Sequence, residues 1–303
     1  MPTLVTIDKN SGFCFGVTRA IEEAQKRLAA LQEAGSREPL YCLGEIVHNN
    51  EEVKRLEDLG LRVIGKGEFA ELRNARVLIR AHGEPPDTYR VANENHIGLV
   101  DATCPIVLKL QQRIKAGFEE MQRMGGQVLI YGKPGHAEVI GLNGQTGNRA
   151  KVVSSIEDVM RMDFSIPTLL YSQTTMNTEK YRRIADFVQE ACQKNGVYFK
   201  AVNSICQSMS RRAEQLEDFA KANDAVVFVS GKQSSNGKYL YEICRKHNPD
   251  TFFVSSPDEL EPGAFVANGR ARFATIVVCG ATSTPMWLME AVAERLNTIT
   301  ECI

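Results

Sequence analysis

The chain has 303 residues, 43% of them apolar, and its charges nearly balance at a formal net of −1. That length suits two or three domains of ~100–150 residues. The balance excludes a global pull toward nucleic acid or an anionic membrane, so any anion site must be local. No apolar run approaches the ~20 residues of a membrane helix. The start Met1-Pro2-Thr3-Leu4-Val5 lacks a basic region followed by a long apolar one, so a cytoplasmic protein is expected. Eight cysteines stand at 14, 42, 104, 192, 206, 244, 279 and 302. In a reducing compartment such residues are buried, metal-bound or catalytic rather than paired.

In chain order, 4–7 reads as a strand and 11–16 as a glycine-bracketed loop. Val17, Ala20, Ile21, Ala24, Leu28 and Leu31 recur at helical spacing up to Gly35. A strand is expected from Tyr41 as far as His48, then a helix closed by Gly60, and strands over 61–64 and 77–80. The run Leu99-Val100-Asp101 reads as a strand that stops before Ala102-Thr103-Cys104-Pro105. Proline is favoured at the first helical position, so Cys104 falls at a helix N-terminus, where the helix dipole favours a thiolate. Further strands are expected at 128–131, 152–153, 168–171, 225–229, 252–254 and 274–278. Helices follow Cys104, Glu179, Cys206, Asn236 and Pro285. Gly132 through Glu138 reads as a glycine-rich loop.

Alternating strands and helices predict parallel sheets built from βαβ units. Cys14, His48, His82, Cys104, His136, Thr174, Cys206, Ser234 and Ser283 each follow an apolar strand. Ligands bind beyond the carboxyl ends of such strands. Taken by thirds of the chain, these positions group as 14, 48, 82; 104, 136, 174; and 206, 234, 283. This placement predicts three similar α/β units around one site.

Three widely spaced cysteines exclude a compact zinc ribbon or ferredoxin loop, but can hold an iron–sulfur cluster that leaves one iron open. Cys42, Cys192, Cys244, Cys279 and Cys302 read as small buried hydrophobes. Of five histidines, His96 and His247 lie in polar surroundings and read as surface residues. His48, His82 and His136 suit either a metal or an anion. Ser234-Ser235-Asn236 before a helix is an anion cradle or a plain N-cap. Glu138 beside His136 is the best acid/base candidate, against the alternative of a surface glutamate. A zinc- or anion-binding module without turnover, and a cluster-dependent hydratase, both remain compatible with these residues.

Several segments, in order, resemble the signatures of one family: Gly12-Phe13-Cys14-Phe15-Gly16-Val17, Glu45-Ile46-Val47-His48-Asn49, Ala81-His82-Gly83, Asp101-Ala102-Thr103-Cys104-Pro105 and Gly135-His136-Ala137-Glu138-Val139. So do Gln173-Thr174-Thr175, Ile205-Cys206, Ser234-Ser235-Asn236 and Ser283-Thr284-Pro285. The family is 4-hydroxy-3-methylbut-2-enyl diphosphate reductase, also called IspH or LytB, and the likeness spans nearly the whole chain. It implies an α/β fold of three similar units with mainly parallel sheets, set as a pseudo-threefold trefoil around a central cluster. The units would be 15–102, 103–200 and 201–303, the last joined by the N-terminal strand within 1–14.

The resemblance places one [4Fe–4S] cluster on Cys14, Cys104 and Cys206. It gives the diphosphate to His48, His82, His136, Ser234, Asn236 and Ser283, with Ser235 close by. Thr174 and Glu138 receive the hydroxyl end and proton delivery. It implies reductive dehydroxylation of the allylic diphosphate to isopentenyl and dimethylallyl diphosphates, the last step of the non-mevalonate pathway. A ferredoxin or flavodoxin would donate electrons, with no nucleic-acid or membrane partner. Ala137 departs from a frequent proline, and 207–210 differs from the usual stretch. An extra residue before Ser283 leaves Thr282 and Ser283 as rivals for the phosphate; Ser283 is preferred.

Overall fold

The computed structural model describes residues 3–36 and 38–301. The chain opens with β1 (Leu4–Ile7), a loop, and α1 (Phe15–Glu33). Next, β2 (Leu40–Leu43), α2 (Asn50–Asp58), β3 (Leu61–Ile64), α3 (Lys66–Glu71), β4 (Arg76–Ile79), α4 (Pro86–Glu94) and β5 (Gly98–Asp101) alternate. Their strands form a first sheet in the order β3-β2-β4-β5, with β2–β4 and β4–β5 parallel.

The chain continues through α5 (Pro105–Arg123), β6 (Gln127–Tyr131), α6 (Ala137–Gly144), β7 (Lys151–Val153), α7 (Ile156–Met160), β8 (Thr168–Ser172), α8 (Thr178–Lys194) and β9 (Phe199–Ala201). The second sheet, β7-β6-β8-β9, is parallel throughout. The last part comprises α9 (Gln207–Ala222), β10 (Ala225–Val229), α10 (Ser235–His247), β11 (Thr251–Val254), α11 (Pro262–Phe265), the hairpin β12 (Val266–Ala267) and β13 (Arg270–Ala271), β14 (Thr275–Gly280) and α12 (Met286–Glu301). The third sheet is parallel in the order β11-β10-β14-β1, with Leu4 opposite Thr275 and Ile7 opposite Val278. The N-terminal strand therefore completes the sheet nearest the C-terminus, as the resemblance implied.

The protein is thus built from three similar α/β units. Its apolar periodicity does what the sequence suggests. Val107, Leu110, Ile114 and Met121 form the buried stripe of α5, which opens on Pro105. In the third sheet Val227, Val229, Ile276 and Val278 pack with Leu288, Val292 and Leu296 of α12. Each such fully buried aliphatic side chain contributes ~1.5–3 kcal/mol. Cys42, Cys192, Cys244 and Cys279 lie in these interiors; Cys302 falls outside the described residues. No helix among the described residues is long and apolar enough to cross a membrane.

Three sequence expectations change. The strand from Tyr41 stops at Leu43, because Gly44 has φ +75° and turns the chain, so His48 lies on a loop. Any Cβ at Gly44 would also sit 2.6 Å from Arg80 Cζ. The loop assigned to Glu138 is the first turn of α6. The short helices α3, α4 and α11, the strand β9 and the β12–β13 hairpin lie outside the sequence expectations. The grouping of site residues by thirds of the chain changes as well. Each cysteine follows the edge strand of a sheet: Cys104 follows β5, Cys206 follows β9, and Cys14 follows β1. By the sheet whose strand precedes each residue in the chain, the groups are Cys104, His48 and His82; Cys206, His136 and Thr174; and Cys14, Ser234 and Ser283. Parallel pairing between distant segments, invisible in chain order, sets this assignment.

The chain divides into two compact units. One contains the chain up to Ser36, the segment Glu45–Leu61 and everything described from Gln207 onward. The other contains the described stretch up to Gly44 and the span Arg62–Cys206.

Candidate active site

In the unit containing Arg62–Cys206, β6 and β8 run parallel and end side by side, Tyr131 opposite Ser172. His136 is the N-cap of α6, and its Nδ1 accepts a hydrogen bond from the Glu138 N–H at 3.2 Å. That bond requires a lone pair on Nδ1, so a neutral ring carries its proton on Nε2, a donor suited to an anion. The His82 and His136 rings meet edge to face, 5.4 Å apart.

Glu138 is 2% exposed. The Thr174 N–H donates to Oε1 at 2.7 Å and the Thr174 hydroxyl to Oε2 at 2.8 Å. Burial pushes the carboxyl up to about 7, against the lowering effect of the two Thr174 bonds. A carboxyl poised there both holds and releases a proton at physiological pH, as acid catalysis needs. Gln173, fully buried, steadies the arrangement. Its Oε1 accepts from Lys133 N–H at 3.0 Å and its Nε2 donates to Thr175 Oγ at 3.1 Å. It thereby ties the loop after β6 to the loop after β8. The sequence reading gave Gln173 no role; the signal was its place beside Thr174.

In the other unit, Ser234 is the N-cap of α10, its Oγ accepting from Gly237 N–H at 3.1 Å. Ser234 Oγ and Ser283 Oγ lie 2.9 Å apart. Asn236 Oδ1 accepts from Thr282 N–H at 3.2 Å, which leaves its amide group to donate elsewhere. Ser235 Oγ is buried and has no hydrogen-bond partner among the described residues. A buried hydroxyl without a partner beside a helix N-terminus is the expected mark of an anion site. His48 stands in a loop of the same unit, its Nδ1 3.3 Å from Glu45 Oε2. Thr282 is engaged through its backbone, and its hydroxyl faces the Met209 sulfur at 3.9 Å. Ser283 is therefore the hydroxyl beside Ser234, which favours it over Thr282.

The three candidate ligands share one setting. Cys14 and Cys104 are the N-caps of α1 and α5, and Cys206 directly precedes α9. Each backbone N–H donates to the loop after the neighbouring strand: Cys14 to Thr282 O at 3.2 Å, Cys104 to Ala81 O at 3.0 Å, and Cys206 to Thr174 O at 2.8 Å. All three are half-buried, whereas the other described cysteines are fully buried. Burial pushes the Cys42 thiol up to about 12 and raises Cys279 well above the ordinary thiol value. Half-buried sulfurs at helix starts fit ligation of an iron–sulfur group, and the buried ones do not.

Parallel α/β sheets whose strand ends carry such thiols, imidazoles, hydroxyls and a poised acid define an α/β enzyme. The family model described as LytB protein matches residues 5–297, and the chain belongs to that family. The 4-hydroxy-3-methylbut-2-enyl diphosphate reductase of Parabacteroides distasonis is 47% identical over 294 residues, 97% of each chain. That of Porphyromonas gingivalis is 46% identical over 295 residues, 97% of this chain and 99% of its own. The solved structure of (E)-4-hydroxy-3-methyl-but-2-enyl diphosphate reductase, the terminal enzyme of the non-mevalonate pathway, matches with a TM-score of 0.69 at 30% identity. It covers 98% of this chain and 100% of its own. The E-1-hydroxy-2-methyl-but-2-enyl-4-diphosphate reductase of Plasmodium falciparum has the same fold, with a TM-score of 0.81 at 23% identity over 96% of this chain and 86% of its own.

Proposed function

We propose that this protein reduces 4-hydroxy-3-methylbut-2-enyl diphosphate to isopentenyl and dimethylallyl diphosphates, the closing step of the non-mevalonate isoprenoid pathway. The observation that carries the reading is the buried Glu138–Thr174 pair, an acid with a near-neutral pKa and one hydroxyl to pass a proton through. The reaction breaks an allylic C–O bond, takes up two electrons and two protons, and releases water. Cys14, Cys104 and Cys206 hold one [4Fe–4S] cluster, within a trefoil of the units 15–102, 103–200 and 201–303. When bound, that cluster supplies electrons and a Lewis-acidic iron. A ferredoxin or flavodoxin is the electron donor, and the protein works in the cytoplasm.

The chain's own groups divide the remaining work. Ser234, Ser235, Asn236 and Ser283, with the first N–H groups of α10, bind the diphosphate, and His48, His82 and His136 donate to its remaining oxygens. Charge-assisted bonds of this kind contribute ~1.5–3 kcal/mol each. They fix the hydroxyl end of the substrate near Thr174, so binding at the diphosphate serves the chemistry. When Glu138 is protonated the 2.8 Å bond reverses, so that Oε2 donates to Thr174 Oγ; as that proton passes to Thr174 Oγ, the Thr174 hydroxyl proton goes to the leaving oxygen. Burial keeps bulk water from that proton.

Anaerobic purification with iron and sulfide analysis, followed by turnover of the allylic diphosphate with and without a reductant, tests the reading. Iron, acid-labile sulfide and reductant-dependent formation of both products are expected. Zinc without sulfide, or turnover that ignores the reductant, would sink it. Within the diphosphate site, Ser283→Ala is expected to raise KM about tenfold, the loss of roughly one hydrogen bond to a charged group. Thr282→Val should change KM far less, and steady-state kinetics of the two variants decides between them.

A further inference from the structure

We propose that Arg212 is a positioning residue for Cys14, acting through Asp8 and Ser11; the inference rests on the reading of Cys14 as a cluster ligand. All three cysteines are approached through the same local device, an Asp or Asn side-chain Oδ1 that accepts the backbone N–H two residues on. Asp101 Oδ1 accepts from Thr103 at 2.9 Å, Asn203 Oδ1 from Ile205 at 3.1 Å, and Asp8 Oδ1 from Asn10 at 2.9 Å. The first two turns deliver their cysteines three residues later, at 104 and 206, whereas Asp8 stands six residues before Cys14. The longer approach has more backbone freedom to lose, so it needs further restraint. One of its extra residues, Gly12, has φ +116°, a conformation that only glycine adopts readily.

Arg212 supplies that restraint. It lies on α9, 4% exposed, and its guanidinium pairs with Asp8 Oδ2, itself in a residue 1% exposed. It also donates to Ser11 Oγ. Ser11 Oγ in turn donates to Asp8 Oδ2 at 3.1 Å and accepts from Gly280 N–H at 2.9 Å, so this hydroxyl is saturated. A guanidinium fork, a carboxylate and a hydroxyl thus pin the loop before Cys14 both to α9 and to the end of β14. A buried ion pair adds little net stability over an apolar replacement, but it enforces one geometry and is costly to break from one side. Geometry is what a ligand-bearing loop requires.

The test follows release of iron to a chelator from the full-length chain as purified. Alkylation of each thiol is read by mass spectrometry over the same period, with the thermal midpoint measured alongside. In Arg212→Gln, Cys14 is expected to be alkylated about tenfold faster or more than in the parent, while Cys104 and Cys206 change little, because only the Cys14 loop loses its anchor. Adding Asp8→Asn to that variant should restore part of the protection, since no bare carboxylate remains buried. Ser11→Ala, a milder change, should give a smaller acceleration in the same direction and decides the matter if Arg212→Gln does not fold. Equal acceleration of all three thiols, in step with a lower thermal midpoint, would show Arg212 to be an ordinary core ion pair. Unchanged Cys14 labelling would overturn the proposal too. Iron missing from the parent would count against the functional reading, while the relative labelling of the three thiols still judges the clamp.

Discussion

Cys104→Ser is expected to strip the protein of iron and sulfide and to abolish turnover, while leaving the fold intact. Serine is a strong N-cap, so α5 keeps its start, and the Cys104 N–H to Ala81 O bond belongs to the backbone. What disappears is the soft thiolate; a serine hydroxyl ionises far above neutral pH and suits iron–sulfur ligation poorly. The loss in metal retention should exceed the ~10–100-fold typical of outer-shell changes. Cys14→Ser and Cys206→Ser should behave alike, since both sulfurs occupy equivalent places before α1 and α9. Cys42→Ser is the control. Its side chain is wholly buried, so the new hydroxyl should cost ~1–3 kcal/mol of stability with the metal retained. Iron analysis beside thermal unfolding separates the two outcomes. A fully loaded, fully active Cys104→Ser protein would remove that residue from the ligand set.

Glu138→Gln is expected to lower kcat by ~10²-fold or more while substrate and metal still bind. The amide keeps the shape: its oxygen can accept from Thr174 N–H and its nitrogen can donate to Thr174 Oγ, but it has no proton to release. The pH profile provides a second reading. With the Glu138 carboxyl held up to about 7 by burial, kcat of the parent should fall as pH rises through that value, and the variant should lose this limb. Stability responds with a defined sign. A carboxyl whose folded pKa lies above its ordinary 4.5 contributes stability that is fully present below 4.5 and is lost as pH rises to about 7. Unfolding free energies from denaturant titrations at pH 5 and pH 8 should therefore differ by about 1–3 kcal/mol more in the parent than in the variant. A variant with near-normal turnover, or with an unaltered profile, would take the proton role from Glu138.

Where the sequence reading succeeded and failed has local causes. Helices α5, α8 and α9 announce themselves because their buried residues recur at helical spacing on otherwise charged segments. Helix α6, Ala-Glu-Val-Ile-Gly-Leu-Asn-Gly, has two glycines and little amphipathic contrast, so it reads as loop. Its start depends on a histidine cap, an unusual choice that propensity does not flag. The end of β2 at Gly44 is a backbone event that an apolar run conceals.

By itself, the sequence determined the alternation of strands and helices, the candidate side chains and their ordered motifs. Apolar spacing, turn residues and short signatures are local properties that the chain order carries. The family resemblance already joined β1 to the third unit, and the register Leu4–Thr275 bears it out; only the tertiary structure decided which site residues share a sheet, with each cysteine following an edge strand. The near-neutral Glu138 and the Arg212 clamp on the Cys14 loop were likewise invisible in one dimension. Parallel pairing, desolvation and ion pairing act between segments two hundred residues and more apart, such as Ser11 and Arg212 or Leu4 and Thr275, and they act only once folding has removed the intervening water.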